Sequence, residues 1–219
     1  MLYLIPKKHT TLRFFWAVVL CGCLSSVKAQ LPDYHLQLFD YTTGILPGGI
    51  DAVIKDKKGV LWILYNNRVQ RFDGQELQTF RPDLFLKHIY GDVKGRVWVS
   101  AVGNVFLFSE KSGVFKKITV HGKNDTLLTG PIVELPGDRI CLVTSDGLYR
   151  FDEVNQCFDP REDMPFLNRS WITNTSAVRG NKLFLHDDRY VFRYDVVTHQ
   201  ADSLPASFLY SIYPITDDS

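Results

Sequence analysis

A seven-residue phrase occurs twice in this chain and then returns in altered form. Asp56-Lys57-Lys58-Gly59-Val60-Leu61-Trp62 is followed by Asp92-Val93-Lys94-Gly95-Arg96-Val97-Trp98. Ten residues after each tryptophan stands a phenylalanine, Phe72 and Phe108, and the same step leads from Cys141 to Phe151 and from Phe184 to Tyr194. The anchors at 62, 98, 141 and 184 recur at intervals of 36, 43 and 43 residues. A period near forty means that one supersecondary unit is stacked on its neighbours, because no single unit can bury both of its faces.

The content of each period is strand. Residues 60–64 and 139–143 are short apolar runs rich in β-branched or aromatic side chains and bounded by turn residues, which reads as strands buried on both faces. Runs this short cannot nucleate a helix. A turn signal precedes each run (Lys58-Gly59, Lys94-Gly95, Gly137-Asp138, Gly180-Asn181), and a second follows at a constant offset (Asn66-Asn67, Gly103-Asn104, Asp146-Gly147, Asp187-Asp188). Asn, Asp and Gly tolerate the left-handed backbone of tight hairpins. A third turn opens at Asp73, Ser109, Asp152 and Asp195. Each period then holds about four antiparallel strands, the content of a propeller blade. The expected fold is an all-β propeller of four blades plus the start of a fifth. Its divisions are residues 50–85, 86–127, 128–170, 171–206 and 207–219. The anchors Trp62, Trp98, Cys141 and Phe184, with Phe72, Phe108, Phe151 and Tyr194, are expected to fill the wedges between blades. An ordinary sandwich would not repeat three offsets together.

The first 29 residues read as a signal peptide. Lys7, Lys8 and Arg13 form a basic region, residues 14–24 an apolar run, and Val27-Lys28-Ala29 a cleavage site before Gln30. Eleven apolar residues are too few to span ~30 Å of hydrocarbon. Lipid attachment at Cys23 is the rival reading. Residues 30–49 form a lead-in segment with a closing strand. Without the leader, 21 basic against 24 acidic side chains leave a net charge of −3, which is no footprint for nucleic acid or an anionic membrane. Export permits a disulfide between Cys141 and Cys157. The anchor position of Cys141 and the outer-strand position of Cys157 favour two buried thiols.

The ends of the chain suggest a piece of something longer. Residues 211–219 align with the strand and turn before Trp62, so a fifth blade is announced. Residues 34–39 alternate like a strand that closes a ring whose last blade lies elsewhere. Open sheet faces would leave such a piece prone to association.

No catalytic constellation is visible. His35, His88, His121, His186 and His199 do not fall at metal-ligand spacing with Cys or carboxylates on one strand. No metal or cofactor is expected, and no nucleophile elbow or phosphate loop appears. Recognition by loops is what remains. The candidates are the turn residues Asn66, Asn67, Asn104, Asp146, Asp187 and Asp188, all at one repeat offset. Their residue types are also simply those that turns require. Trp171 and Tyr210 lie outside the anchor pattern. They suit either sugar stacking or core packing.

Asp56-x-x-Gly59-x-Leu61-Trp62 with Val69-x-x-Phe72-Asp73-Gly74, and its copy through Trp98 and Phe108, resembles the two-component regulator propeller repeat. The stretch Phe39-x-x-x-x-Gly44-Ile45-x-x-x-x-Ile50-x-x-Val53 is similar to that family's lead-in to its first blade. The resemblance spans residues 34–217, strongest in the first two blades. It implies a non-catalytic sensor on the periplasmic side of a bacterial membrane. The expected ligand is a small molecule or glycan fragment. The expected partners are the missing blades, a membrane helix with a histidine kinase, and a second copy. A fragment of an exported lyase-like propeller enzyme, or a secreted adhesion or scaffold propeller, is the alternative.

Overall fold

The computed structural model describes residues 44–45, 48–65, 67–81, 84–122, 127–162, 176–186 and 189–205. The leader, the closing strand, Asn66, Asp187, Asp188, Trp171, Tyr210 and residues 207–219 lie outside them, with the expectations placed there. All described residues belong to one compact unit, residues 39–219.

Among the described residues the regular structure is entirely strand. Sixteen strands form four antiparallel meanders. The first is β1 (Ile50–Lys55), β2 (Leu61–Tyr65), β3 (Arg68–Phe72) and β4 (Leu77–Phe80); the second is β5 (Leu86–Gly91), β6 (Val97–Ala101), β7 (Asn104–Ser109) and β8 (Val114–Val120). The third is β9 (Thr129–Leu135), β10 (Arg139–Thr144), β11 (Gly147–Asp152) and β12 (Cys157–Glu162); the fourth is β13 (Ser176–Arg179), β14 (Lys182–His186), β15 (Tyr190–Asp195) and β16 (Ala201–Pro205). Burial is high in the second strand of each of the first three meanders and least at the outer edge of the fourth. Every residue of β6 is buried, β8 shows mixed burial, and all of β16 is exposed. Only a strand covered on both faces can be apolar throughout.

The four meanders stack in a propeller-like manner, and the repeat anchors make the interfaces. Trp62 lies in one core with Leu86, Val97, Val99 and Phe108 of the second meander, and Trp98 in another with Ile132, Leu142, Phe151 and Phe158 of the third. Cys141 shares a third core with Leu183, Leu185 and Tyr194. At the first two seams an anchor ring meets the phenylalanine of the next unit edge-to-face, Trp62 on Phe108 at 4.7 Å and Trp98 on Phe151 at 4.8 Å. Each fully buried tryptophan removes roughly 150–250 Å² from water, on the order of 4–6 kcal/mol of transfer free energy. Cys141 and Cys157 are both buried and not joined by a disulfide.

Three features go beyond a simple stack. Phe184 stands opposite Arg193 as Trp62 stands opposite Arg71, yet it is only half-buried; its neighbours Leu183 and Leu185 take the other face and fill the seam with the third meander. A bulge interrupts the innermost strand of the first three meanders at one repeat position, around Asp51, Lys87 and Gly130. Finally, β8 and β12 pair in parallel through Thr119–Cys157 and Val120–Phe158, merging the second and third meanders into one eight-stranded sheet.

Candidate functional site

The repeated phrase is a hydrogen-bonded latch. Asp56 Oδ1 accepts from the backbone N–H groups of Lys58 and Val60, and its Oδ2 accepts from the Trp62 indole at 2.9 Å. Asp92 repeats this with Lys94, Arg96 and the Trp98 indole, also at 2.9 Å. Both carboxylates are buried, so each needs the partners it has. The equivalent positions before Cys141 and Phe184, whose side chains carry no ring N–H, hold Leu135 and Val178, both packed in the third core. The acid is present where there is an indole to hold and absent where there is none. These Asp–Trp pairs hold the fully buried Trp62 and Trp98 rings in the first two seams.

At the latch end a clasp crosses from the second meander to the third. Arg96 donates to Asp92 at 2.5 Å and to Glu153 at 2.7 Å, and Lys94 donates to the other Glu153 oxygen at 2.7 Å. The Arg96 guanidinium lies over both Trp98 and Phe151, 5.0 and 5.4 Å from the ring centroids. Burial raises the Glu153 carboxyl, but hydrogen bonds from Arg96 and Lys94 outweigh it and hold it below the usual range. Nearby, Glu134 of β9 accepts from Val93 N–H at 2.9 Å and from the Tyr90 hydroxyl at 3.3 Å. Burial, then the Glu134 charge, pushes the Tyr90 phenol up.

The opposite end carries the sequence-expected binding residues. Asn67 and Asp146 fall in the hairpin between the second and third strands of their meander, Asn104 opens the third strand directly after that hairpin, and Asn67 takes the left-handed backbone with φ 66°. Their register puts these hairpins beside the bulges of the inner strands, since Tyr65 faces Ile50, Ala101 faces Leu86 and Thr144 faces Thr129. The rim is stitched between meanders. Ser100 Oγ donates to Gly130 O at 2.9 Å, and Thr129 Oγ1 donates to Ala101 O. Asn104 spends one amide hydrogen on Val102 O, and the Asp146 backbone N–H is held by Thr144 Oγ1. These groups shape the turns before they meet any ligand. His88 follows the second bulge; burial, then the charge of Lys87, lowers its pKa to about 4, so it is neutral.

Two further features were not visible in sequence spacing. A groove of about 310 Å³ on the fourth meander is lined by Lys182, Arg193, Asp195 and Asp202. Phe184, Arg193 and Asp202 align across its strands, the row through which Trp62, Trp98 and Cys141 meet the next sheet. His121, Cys157 and Asp159 also converge, from two different strand ends, with one ligand-type atom of each lying within 4.8 Å of the others. A search for ligands along single strands cannot find such a trio.

The likeness to known proteins is one of fold. No protein-family model and no curated protein matches the chain. Among solved structures, the chain is similar to the extracellular domain assigned to the hybrid two component system BT3049 of B. thetaiotaomicron. The TM-score is 0.59 at 16% identity over 80% of this chain and 26% of that one. YCF48, solved bound to D1 peptide, matches with a TM-score of 0.51 at 13% identity, over 73% of this chain and 54% of its own. A B. thetaiotaomicron one component system, BT4673, aligns through its extracellular domain over 70% of this chain and 27% of that one, at 15% identity and a TM-score of 0.42. The chain thus spans about a quarter of the extracellular domain of BT3049.

Proposed function

We propose that this chain is part of the exported sensor propeller of a two-component-type receptor. The observation that carries the reading is the fold likeness to the BT3049 extracellular domain, joined to a repeat phrase whose Asp–Trp latch defines the stacked unit. Each meander is a blade, and residues 207–219 begin a fifth. The stacking row on the fourth meander supports this, because the repeat uses the same row at every earlier seam to receive the next sheet. The hairpin rim with Asn66, Asn67, Asn104, Asp146, Asp187 and Asp188 receives a small molecule or glycan fragment. Binding shifts blade or dimer geometry, and the signal leaves through a membrane helix and histidine kinase beyond residue 219. The segment itself does no chemistry and sits on the periplasmic side after cleavage near Ala29.

The coding sequence past Ser219 tests the architecture: a membrane helix followed by a kinase histidine box is expected, and a stop after a closed ring with clustered carboxylates on one rim would instead make it a propeller enzyme. The rim is tested by thermal-shift binding of a glycan-fragment panel to the whole exported domain. A ligand lost on Asn104→Ala together with Asp146→Ala is expected; retention of all binding in that variant would overturn the rim assignment.

A further inference from the structure

β8 ends at Val120, and the next residue lies against β12, where the His121 N–H donates to Phe158 O at 2.8 Å. Side chains alternate along a strand. Phe158 enters the core shared with the second meander, while Cys157 and Asp159 take the opposite face. His121 reaches them across the edge: its Nδ1 lies 2.7 Å from Asp159 Oδ1, and Cys157 Sγ lies 3.9 Å from Asp159 Oδ2. Cys157 is buried, Asp159 half-buried and His121 exposed, so the group has a closed floor and an open mouth.

We propose that His121, Cys157 and Asp159 form a three-ligand site for a divalent transition metal of the zinc class, bridging the outer edges of the second and third meanders. One imidazole nitrogen, one sulfur and one carboxylate oxygen are a borderline donor set that zinc accepts, whereas calcium and magnesium prefer oxygen throughout. A tetrahedral ion with bonds of roughly 2.0–2.3 Å holds its ligand atoms roughly 3.3–3.8 Å apart. The Cys157–Asp159 separation of 3.9 Å is slightly longer than this and the His121–Asp159 separation of 2.7 Å shorter, so the group closes on an ion by small side-chain shifts, chiefly of the exposed His121 ring. The fourth position opens to solvent beside His121 and takes water. Burial, then the charges of Asp159 and Asp152, keeps the Cys157 proton on sulfur. A bound dication reverses that balance, because the same carboxylates then attract the ion. The location gives the metal a structural effect, since only two bridge pairs join β8 to β12.

The test is titration of the reduced, chelator-stripped full chain with Co²⁺ alone. One equivalent should bind, with tetrahedral visible bands and a thiolate-to-cobalt charge-transfer band, both displaced by Zn²⁺. Cys157→Ser should abolish the charge-transfer band and Cys141→Ser should leave it. His121→Gln and Asp159→Asn should each weaken binding about tenfold or more, since even supporting residues around a metal cost about 10–100-fold. Zn²⁺ should raise the melting temperature of the parent chain by mass action, and not that of His121→Gln, whose exposed position leaves the fold intact. Absence of the charge-transfer band, its survival in Cys157→Ser, or equal Zn²⁺ stabilisation of His121→Gln would each overturn the site.

Discussion

Asp56 is held in place by three donors, and one of them belongs to the residue that defines the repeat. Removing the acid alone strands the indole N–H and the Val60 N–H in the interior and leaves the part-buried Lys58 N–H without its acceptor. Asp56→Val should cost about 3 kcal/mol, because each unsatisfied buried group costs about 1–3 kcal/mol. Pairing it with Trp62→Phe recreates the Val178/Phe184 combination of the fourth meander. The double variant should be more stable than the sum of the single changes by about 1 kcal/mol, measured by urea unfolding. Strict additivity would mean the bond contributes nothing. His88 gives a second outcome. Its folded pKa is depressed, so the unfolded chain binds the extra proton first. Stability is complete above pH 6.5 and falls as the pH drops toward about 4. The loss in that window should reach about 2–3 kcal/mol and be largely absent in His88→Gln. The carboxyls of Asp73, Asp152 and Asp195, lowered first by backbone hydrogen bonds, titrate below this window. At this scale the phrase was legible as a repeat, but its bond was not. An indole donor and a buried acceptor six residues apart meet only once the intervening turn is folded.

The strands and their turns were open to reading because both are local: apolar runs, and glycines such as Gly59 and Gly95 at positive φ. The bulges were not, since a bulge is defined by the partner strand. Nor was the β8–β12 pairing, which joins residues far apart in sequence. The clasp between the second and third meanders belongs to the same class, because Glu153 meets Lys94 and Arg96 only across a seam. Its members should differ in weight. Glu153→Gln breaks two partly exposed pairs and should cost less than about 1 kcal/mol, fading in high salt. Arg96→Ala also removes the cation over two aromatic rings and a donor to buried Asp92. It should cost about 2–3 kcal/mol with little salt dependence. Equal losses in denaturant titrations of the two variants would place the energy in the ion pairs instead.

Across the whole molecule the seams are not alike. Among the described residues, the first rests on side-chain packing and one exposed ion pair, Lys58–Glu110 at 3.0 Å, and the third on side-chain packing. The second adds two backbone bridge pairs, the Arg96–Glu153 clasp and the Ser100–Gly130 bond. Hydrogen exchange should therefore protect β6, β7, β10 and β11 as one cooperative group, with the first and fourth meanders opening at lower free energy. Separate protection levels for the second and third meanders would show that their shared sheet does not unite them. A stack with one welded joint and two greased ones does not flex evenly. Any change of shape divides between the first meander and the second and between the third and the fourth, so the middle pair travels as a single rigid plate.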